Sequence, residues 1–164
     1  MVEKSLEPVQ VINPDLFLET EAGRVWTPER SKRAWADSFE ALEQSLSGAD
    51  KSSTRLLIVC GLQGSGKSQW IRDYAKDYAP CVCFDAALPG ARHRKPILDM
   101  ANKHGLETLA VWIDTPIEIA KQRNLARTPD KRVPEESIES VARLFESPQR
   151  NEGFSEVIRI AATM

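Results

Sequence analysis

A chain of 164 residues with 41% hydrophobic and 28% charged side chains has the composition of one soluble globular domain with a core of its own. A net charge of -2 excludes a global pull toward nucleic acid or an acidic membrane, so any basic surface must be local. The longest apolar run is far short of a membrane span, and Glu3, Glu7 and Asp15 interrupt the place where a signal peptide would need its hydrophobic core. Cys60, Cys81 and Cys83 form an odd set inside strand-like runs, which points to free thiols and a reducing, cytoplasmic setting.

In chain order, Pro8–Ile12 reads as a short strand closed by Asn13-Pro14-Asp15, where Pro14 disfavours helix and suits a turn. Thr27-Pro28 has the form of an N-cap followed by a first-turn proline. Ala34, Trp35, Phe39, Leu42 and Leu46 then recur at helical spacing, which predicts a helix to about Ser47. Residues 47–53 read as a polar surface connection. Leu56–Cys60 is a continuous apolar run, the pattern of a parallel strand buried on both faces. A helix is expected over Ser68–Tyr78, with Trp70, Ile71, Tyr74, Ala75 and Tyr78 inward. Cys81–Phe84 is a second buried strand ending in Asp85. Further expectations are a helix over Arg92–His104 stopped by Gly105, a strand over Leu109–Ile113 and a helix capped by Thr115. A helix over Pro134–Phe145 and a last strand over Val157–Ile160 complete the order. Trp26, Trp35, Trp70 and Trp112 read as core, and His93 and His104 as surface residues. Strands alternating with helices argue for a three-layer α/β domain with a mainly parallel sheet.

The segment Gly61-Leu62-Gln63-Gly64-Ser65-Gly66-Lys67-Ser68 meets the P-loop pattern at every fixed position, between a buried-type strand and an amphipathic helix. Its glycines let backbone amides turn inward around phosphates. Lys67 would add a cation near the β and γ phosphates, Ser68 would ligate magnesium, and the following helix would aim its first amides at the same anions. Gln69 extends the candidate nucleotide-binding set. Asp85, at a strand end, stands where a carboxylate would hold Mg2+, directly or through water. Lys121, Arg123, Arg127, Lys131 and Arg132 make a local basic cluster against one acid, Asp130. Arg123 and Arg127 are four apart and share a helix face, so they are the candidates for neutralising a transferred phosphoryl group.

Gly61–Trp70, Asp85–Arg92, Val111–Arg127, Val133-Pro134 and Phe145–Val157 together resemble the polynucleotide-kinase-like (zeta-toxin/polynucleotide kinase) branch of P-loop kinases. The resemblance implies a P-loop NTPase fold with a five-stranded, mainly parallel sheet in adenylate-kinase-like strand order. It also implies a catalytic aspartate after a strand that normally follows the P-loop helix. Only residues 79–84 separate that expected helix from Asp85 here, too few for the unit. Its likeness lies upstream: Val9–Phe17 resembles the strand and its aspartate, Asp15, and Thr27–Leu46 the helix. A permuted arrangement is therefore expected, with residues 9–47 as the displaced unit and 55–160 as the P-loop core bearing a basic lid at about 121–133. The rival arrangement makes the first segment an unrelated arm and Asp85 the base.

The sequence departs from the branch at Gln63, where proline is frequent, at Gln69, where threonine is, and at Ala86-Ala87, where threonine and asparagine are. Leu18 stands where a substrate-phosphate arginine occurs in the phage member. The resemblance implies an ATP-dependent, Mg2+-requiring kinase acting on a hydroxyl acceptor, a nucleic-acid 5′ end or a small metabolite, with Asp15, Lys67, Arg123 and Arg127 as its catalytic residues. Two alternatives stay open: a small-molecule or nucleoside kinase, and a nucleotide-binding regulatory module without an acceptor.

Overall fold

The computed structural model describes residues 8–161; Glu3 and Glu7 lie outside the described residues. Seven strands and five α-helices form: β1 (Val9–Ile12), β2 (Glu19–Thr20), β3 (Gly23–Arg24), α1 (Pro28–Ser47), β4 (Arg55–Gly61), α2 (Lys67–Tyr74), β5 (Cys81–Asp85), α3 (Ala91–His104), β6 (Glu107–Asp114), α4 (Ile117–Leu125), α5 (Glu135–Leu144) and β7 (Glu156–Ala161). Five strands make one sheet in the order β1-β5-β4-β6-β7, and every neighbouring pair is parallel. β2 and β3 form a separate antiparallel hairpin.

The apolar run of β4 is continuous because both of its faces are covered. Leu56, Ile58 and Cys60 join one core layer, with Leu42 and Leu46 of α1 and Ile97 and Ala101 of α3. Leu57 and Val59 join the other, with Trp70 and Ile71 of α2. A third, smaller cluster of Leu62, Ala120 and Ile138 seats α4 and α5 beside the loop after β4. β1 is the edge strand beyond β5, and α1 places Trp35 and Phe39 against Phe84 of β5 at ring-centroid distances of 6.0 and 6.2 Å.

Local chemistry explains most boundaries. Thr27 Oγ1 accepts the Arg30 amide at 3.0 Å, and Pro28 opens α1. Gly105, at φ 75°, ends α3 in the left-handed conformation that glycine adopts at no steric cost. Four expectations change. α2 ends at Tyr74 and tightens into a 3-10 turn over Ala75–Tyr78, which leaves Tyr74 exposed. Trp26 is 64% exposed and is not core. Thr115 does not cap α4; its hydroxyl goes to the P-loop instead, and Pro116 takes the cap position. His104 is largely buried, with Nε2 at 2.9 Å from Glu43 Oε1.

One buried ion pair fixes the loops near the sheet's carboxyl edge. Arg94 of α3 is fully buried; its Nε donates to Glu152 Oε1 at 2.9 Å and its Nη2 to Glu152 Oε2 at 3.1 Å. The same guanidinium donates to the carbonyls of Leu88 at 2.8 Å and Glu146 at 3.0 Å. It thereby joins the loop after β5 to the segment before β7. Removing one partner of such a pair leaves an uncompensated buried charge. Glu152→Ala should therefore lower unfolding stability by about 3 kcal/mol in urea titration. A loss below roughly 1 kcal/mol would mean that the pair does not hold these loops.

Candidate functional site: a phosphate-binding cleft at the carboxyl edge of the sheet

Because all five strands run the same way, their carboxyl ends meet at one edge. Ile12 is level with Phe84, Val59 with Asp85, Gly61 with Ile113, and Asp114 with Ala161. Open parallel sheets place ligand sites at this edge. A cleft of about 720 Å³ lies there.

The Gly61–Ser68 loop forms its floor. Gly64 has φ 81° and Gly66 φ 106°, the left-handed conformations that let successive amides turn to one side. At Gly64 a Cβ would lie 2.5 Å from the Ala120 carbonyl, so only glycine lets the loop rest on α4. The Ser65 carbonyl accepts two donors, Thr115 Oγ1 at 2.8 Å and Arg123 Nη1 at 2.8 Å. Lys67 Nζ donates to the carbonyls of Gly61 at 3.2 Å and Leu62 at 2.8 Å. Burial pushes the Lys67 pKa down, and the neighbouring Asp85 carboxylate opposes that shift.

Asp85 sits one strand away and is 3% exposed. Its Oδ2 accepts the Ser68 hydroxyl at 2.6 Å and the Asn13 side-chain amide at 3.3 Å. Burial raises its pKa, and Lys67 pulls it back. Asn13 is fixed at both ends, because its Oδ1 also accepts the Asp15 amide at 2.9 Å. That Asx turn sets the direction of the chain as it leaves β1 and enters the 3-10 turn Pro14–Leu18. Asp15 follows at the carboxyl end of β1, with a side chain 56% exposed, and lines the same cleft as Lys67, Ser68 and Asp85.

The basic cluster divides. α4 ends at Leu125, so Arg123 and Arg127 do not share a helix face as expected, yet both line the cleft. Burial, then the nearby charge of Arg24, lowers the pKa of Arg127. Lys121 faces away and pairs with Glu139 at 2.7 Å. Arg132 donates from Nε to the Arg127 carbonyl at 2.8 Å and helps shape the loop. Asn124 is buried and pins α4 to the segment that follows it, donating to the Val133 carbonyl at 2.7 Å and accepting the Val133 amide at 2.9 Å. Gln63–Ser65, Gly66 and Gln69 line the cleft, while Gly61 and Leu62 lie beneath it as acceptors for Lys67.

Sequence reasoning missed four contributors. Asn13 reads as a turn residue, and only its register opposite β5 puts its amide on Asp85. Thr115 reads as a cap. Asn124 falls inside the Val111–Arg127 resemblance, but nothing there assigns it a bond to Val133. Arg24 lies in a hairpin with no sequence signal, yet its guanidinium comes within 3.6 Å of Asp15 Oδ2.

The family model AAA_33, described as an AAA domain, matches residues 72–148, just under half of the chain and beginning after the P-loop. No curated protein matches the chain. Among solved structures, the AvrRxo1-ORF1:AvrRxo1-ORF2 crystal structure with sulphate ions is similar at 13% identity and TM-score 0.47. That similarity covers 71% of this chain, which spans 56% of the length of the matched one. Among the described residues no helix is long and apolar enough to cross a membrane. The chain has an α/β P-loop NTPase fold with a five-stranded parallel sheet, and the family match supports a P-loop kinase or nucleotide-binding function.

Two substitutions test the cleft. Lys67→Ala removes a charge-assisted donor to phosphate, so calorimetry should show ATP affinity lower by roughly tenfold or more, with the far-ultraviolet spectrum preserved. Unchanged affinity would contradict the phosphate assignment. Asp85→Asn tests the cost of the buried carboxylate. Folding raises the Asp85 pKa, so the native state holds its proton more tightly and ionisation costs stability. That cost is absent below the unfolded aspartate value and complete once pH exceeds the raised one. Asp85→Asn should melt higher than the parent at neutral pH, with the gap closing as pH falls toward about 4. Magnesium-dependent nucleotide affinity should fall at the same time. A lower melting point at neutral pH would contradict this balance.

Proposed function

We propose that the chain is an ATP-dependent kinase similar in its parts to the polynucleotide-kinase-like branch, transferring the γ-phosphoryl group to a hydroxyl acceptor. The observation that carries this is the position of Asp15: it leaves an edge strand of the same parallel sheet and lines one cleft with Lys67, Ser68, Asp85 and Arg127. In this reading residues 1–164 form a single kinase domain. Residues 9–47 supply the strand–helix unit that the branch places after the P-loop helix, moved ahead of it, and residues 121–133 supply the basic lid. Three buried free cysteines suit a reducing cytoplasm.

The site has the donors that magnesium prefers. Ser68 Oγ and the Asp85 carboxylate are hard oxygens 2.6 Å apart, and magnesium takes only one or two protein oxygens, with phosphate and water completing its shell. When bound it neutralises charge on the β and γ phosphates. The P-loop amides and Lys67 hold the triphosphate. Arg123, anchored on the Ser65 carbonyl, and Arg127, across the cleft, bring positive charge to the transferred group. The acceptor hydroxyl gives its proton to the Asp15 carboxylate as its oxygen bonds to the γ-phosphorus. The bond from that phosphorus to the β–γ bridging oxygen breaks, and ADP leaves.

The test combines γ-labelled ATP with oligonucleotides, nucleosides and small polyols as acceptors. Label should pass to at least one acceptor. Asp15→Asn should cut that transfer by about a hundredfold or more while ATP affinity stays nearly unchanged. Absence of transfer to every acceptor, with ATP still bound, would favour the regulatory module. Transfer undiminished in Asp15→Asn would move the base elsewhere, first to Asp85.

A further inference from the structure

A second chamber, of about 440 Å³, adjoins the nucleotide cleft at Asp15. It shares Asn13, Asp15, Gln63, Asp85, Ala86, Ala87 and Val133 with that cleft, so the two spaces meet along those residues. Its volume lies in the ~300–1,000 Å³ range of small-molecule sites. One wall is apolar: Leu18, Trp35 and the exposed Trp26. The rest of the lining carries Arg24, Lys131 and Arg132 beside Asp130. Lys131 and Arg132 have no carboxylate partner among the described residues.

Arg24 is held there by its backbone. Its amide donates to Asp130 Oδ2 at 2.8 Å, which fastens the β2–β3 hairpin to the lid. The fastening is close enough that a Cβ on Gly23, at φ 104°, would lie 2.9 Å from the same oxygen. The hairpin and lid thus close over the chamber, and the Arg24 side chain is only 16% exposed. Its guanidinium pairs with Glu19 at 3.2 Å and stands 3.6 Å from Asp15, outside hydrogen-bond distance. Arg127 lines the neighbouring cleft, and its guanidinium donates to the Lys131 carbonyl at 3.5 Å. Among the described residues the Arg24 side chain uses only Nε in a hydrogen bond, to Glu19, so its Nη donors are left to engage an anion beside Lys131 and Arg132. The flat indole of Trp26 is a surface on which a ring would stack.

We propose that this chamber is the acceptor site, and that it takes a small hydroxyl compound bearing a flat apolar ring and one anionic substituent, with Trp26 as the stacking surface and Arg24 as the reader of the anion. The inference rests on the kinase reading for the word acceptor, but its binding claim stands apart from catalysis. A chamber of this size, closed by the hairpin and lid, suits a monomer and not a polymer strand.

The test is calorimetry on the full chain with the P-loop saturated by ADP and magnesium, so that phosphate groups cannot bind there. The ring-plus-anion probes are pyridoxine 5′-phosphate and uridine 3′-monophosphate. Pyridoxine and uridine carry the ring alone, glycerol 3-phosphate carries the anion alone, and a ten-residue oligouridylate represents the polymer. At least one ring-plus-anion probe should bind about tenfold or more tighter than its ring-only parent and than glycerol 3-phosphate, the size of one charge-assisted contact. Arg24→Gln should remove the advantage over the parent ring. Trp26→Ala, at an exposed position that leaves the fold intact, should weaken both ring-bearing members of a pair. Equal binding of phosphorylated and parent rings, tighter binding of the oligomer than of the monomer, or no binding of any probe at roughly 10 mM would overturn the proposal. None of these outcomes depends on phosphoryl transfer. A working chamber in a protein without kinase activity, or kinase activity without the chamber, would each be visible.

Discussion

One carboxylate oxygen joins the parts of this site. Oδ2 of Asp85 accepts the Ser68 hydroxyl from the start of α2 and the Asn13 amide from the turn after β1. Three segments far apart in sequence therefore meet at one buried atom. The oxygen is costly to keep ionised, because burial raises the Asp85 pKa and Lys67 only partly offsets the shift. Sites that shift pKa values in this way are where binding and chemistry concentrate. The parallel sheet makes the meeting possible, since β1, β5 and β4 lie side by side with their carboxyl ends level.

The same arrangement divides charge between two spaces. The P-loop amides, Lys67 and Arg123 face the cleft beneath α4, while Arg24, Lys131 and Arg132 face the chamber beyond Asp15. Arg127 stands between them. A chain with net charge of -2 thus gathers cationic side chains at one edge of its sheet, interleaved with Asp15, Asp85 and Asp130. Side-chain supports surround the pocket: Arg94–Glu152 under the loop after β5, Thr115 on the Ser65 carbonyl and Asn124 on Val133. Their shared effect is to fix backbone geometry where ligand groups must be met within a few tenths of an ångström.

Much of the fold was legible in the sequence because its signals are local. The apolar runs of β4, β5 and β6 specify strands buried on both faces, Thr27-Pro28 marks the start of α1, and the P-loop spacing reflects backbone requirements that only glycine meets. Residues whose role depends on tertiary register were not legible. Thr115 has the local chemistry of a cap, but the P-loop carbonyl is a better partner once β6 lies beside β4. Trp26 has the composition of core but lies in the connection between β3 and α1 and is exposed. Arg24 shows no pattern in a two-residue strand, and only the Asp130 contact turns it inward. Asn13 and Asn124 act through paired hydrogen bonds across 72 and 9 residues, which no periodicity reports.

The most direct measurement is a crystal structure with a non-hydrolysable ATP analogue and magnesium. The triphosphate should lie along Gly61–Ser68, with the γ-phosphate beside Lys67 and the metal bound to Ser68 and linked to Asp85. The Asp15 carboxylate should face the γ-phosphorus from the side opposite the bridging oxygen, with the chamber lined by Arg24 and Trp26 open behind it. A triphosphate bound elsewhere, or a γ-phosphate whose open face points away from Asp15, would contradict the account.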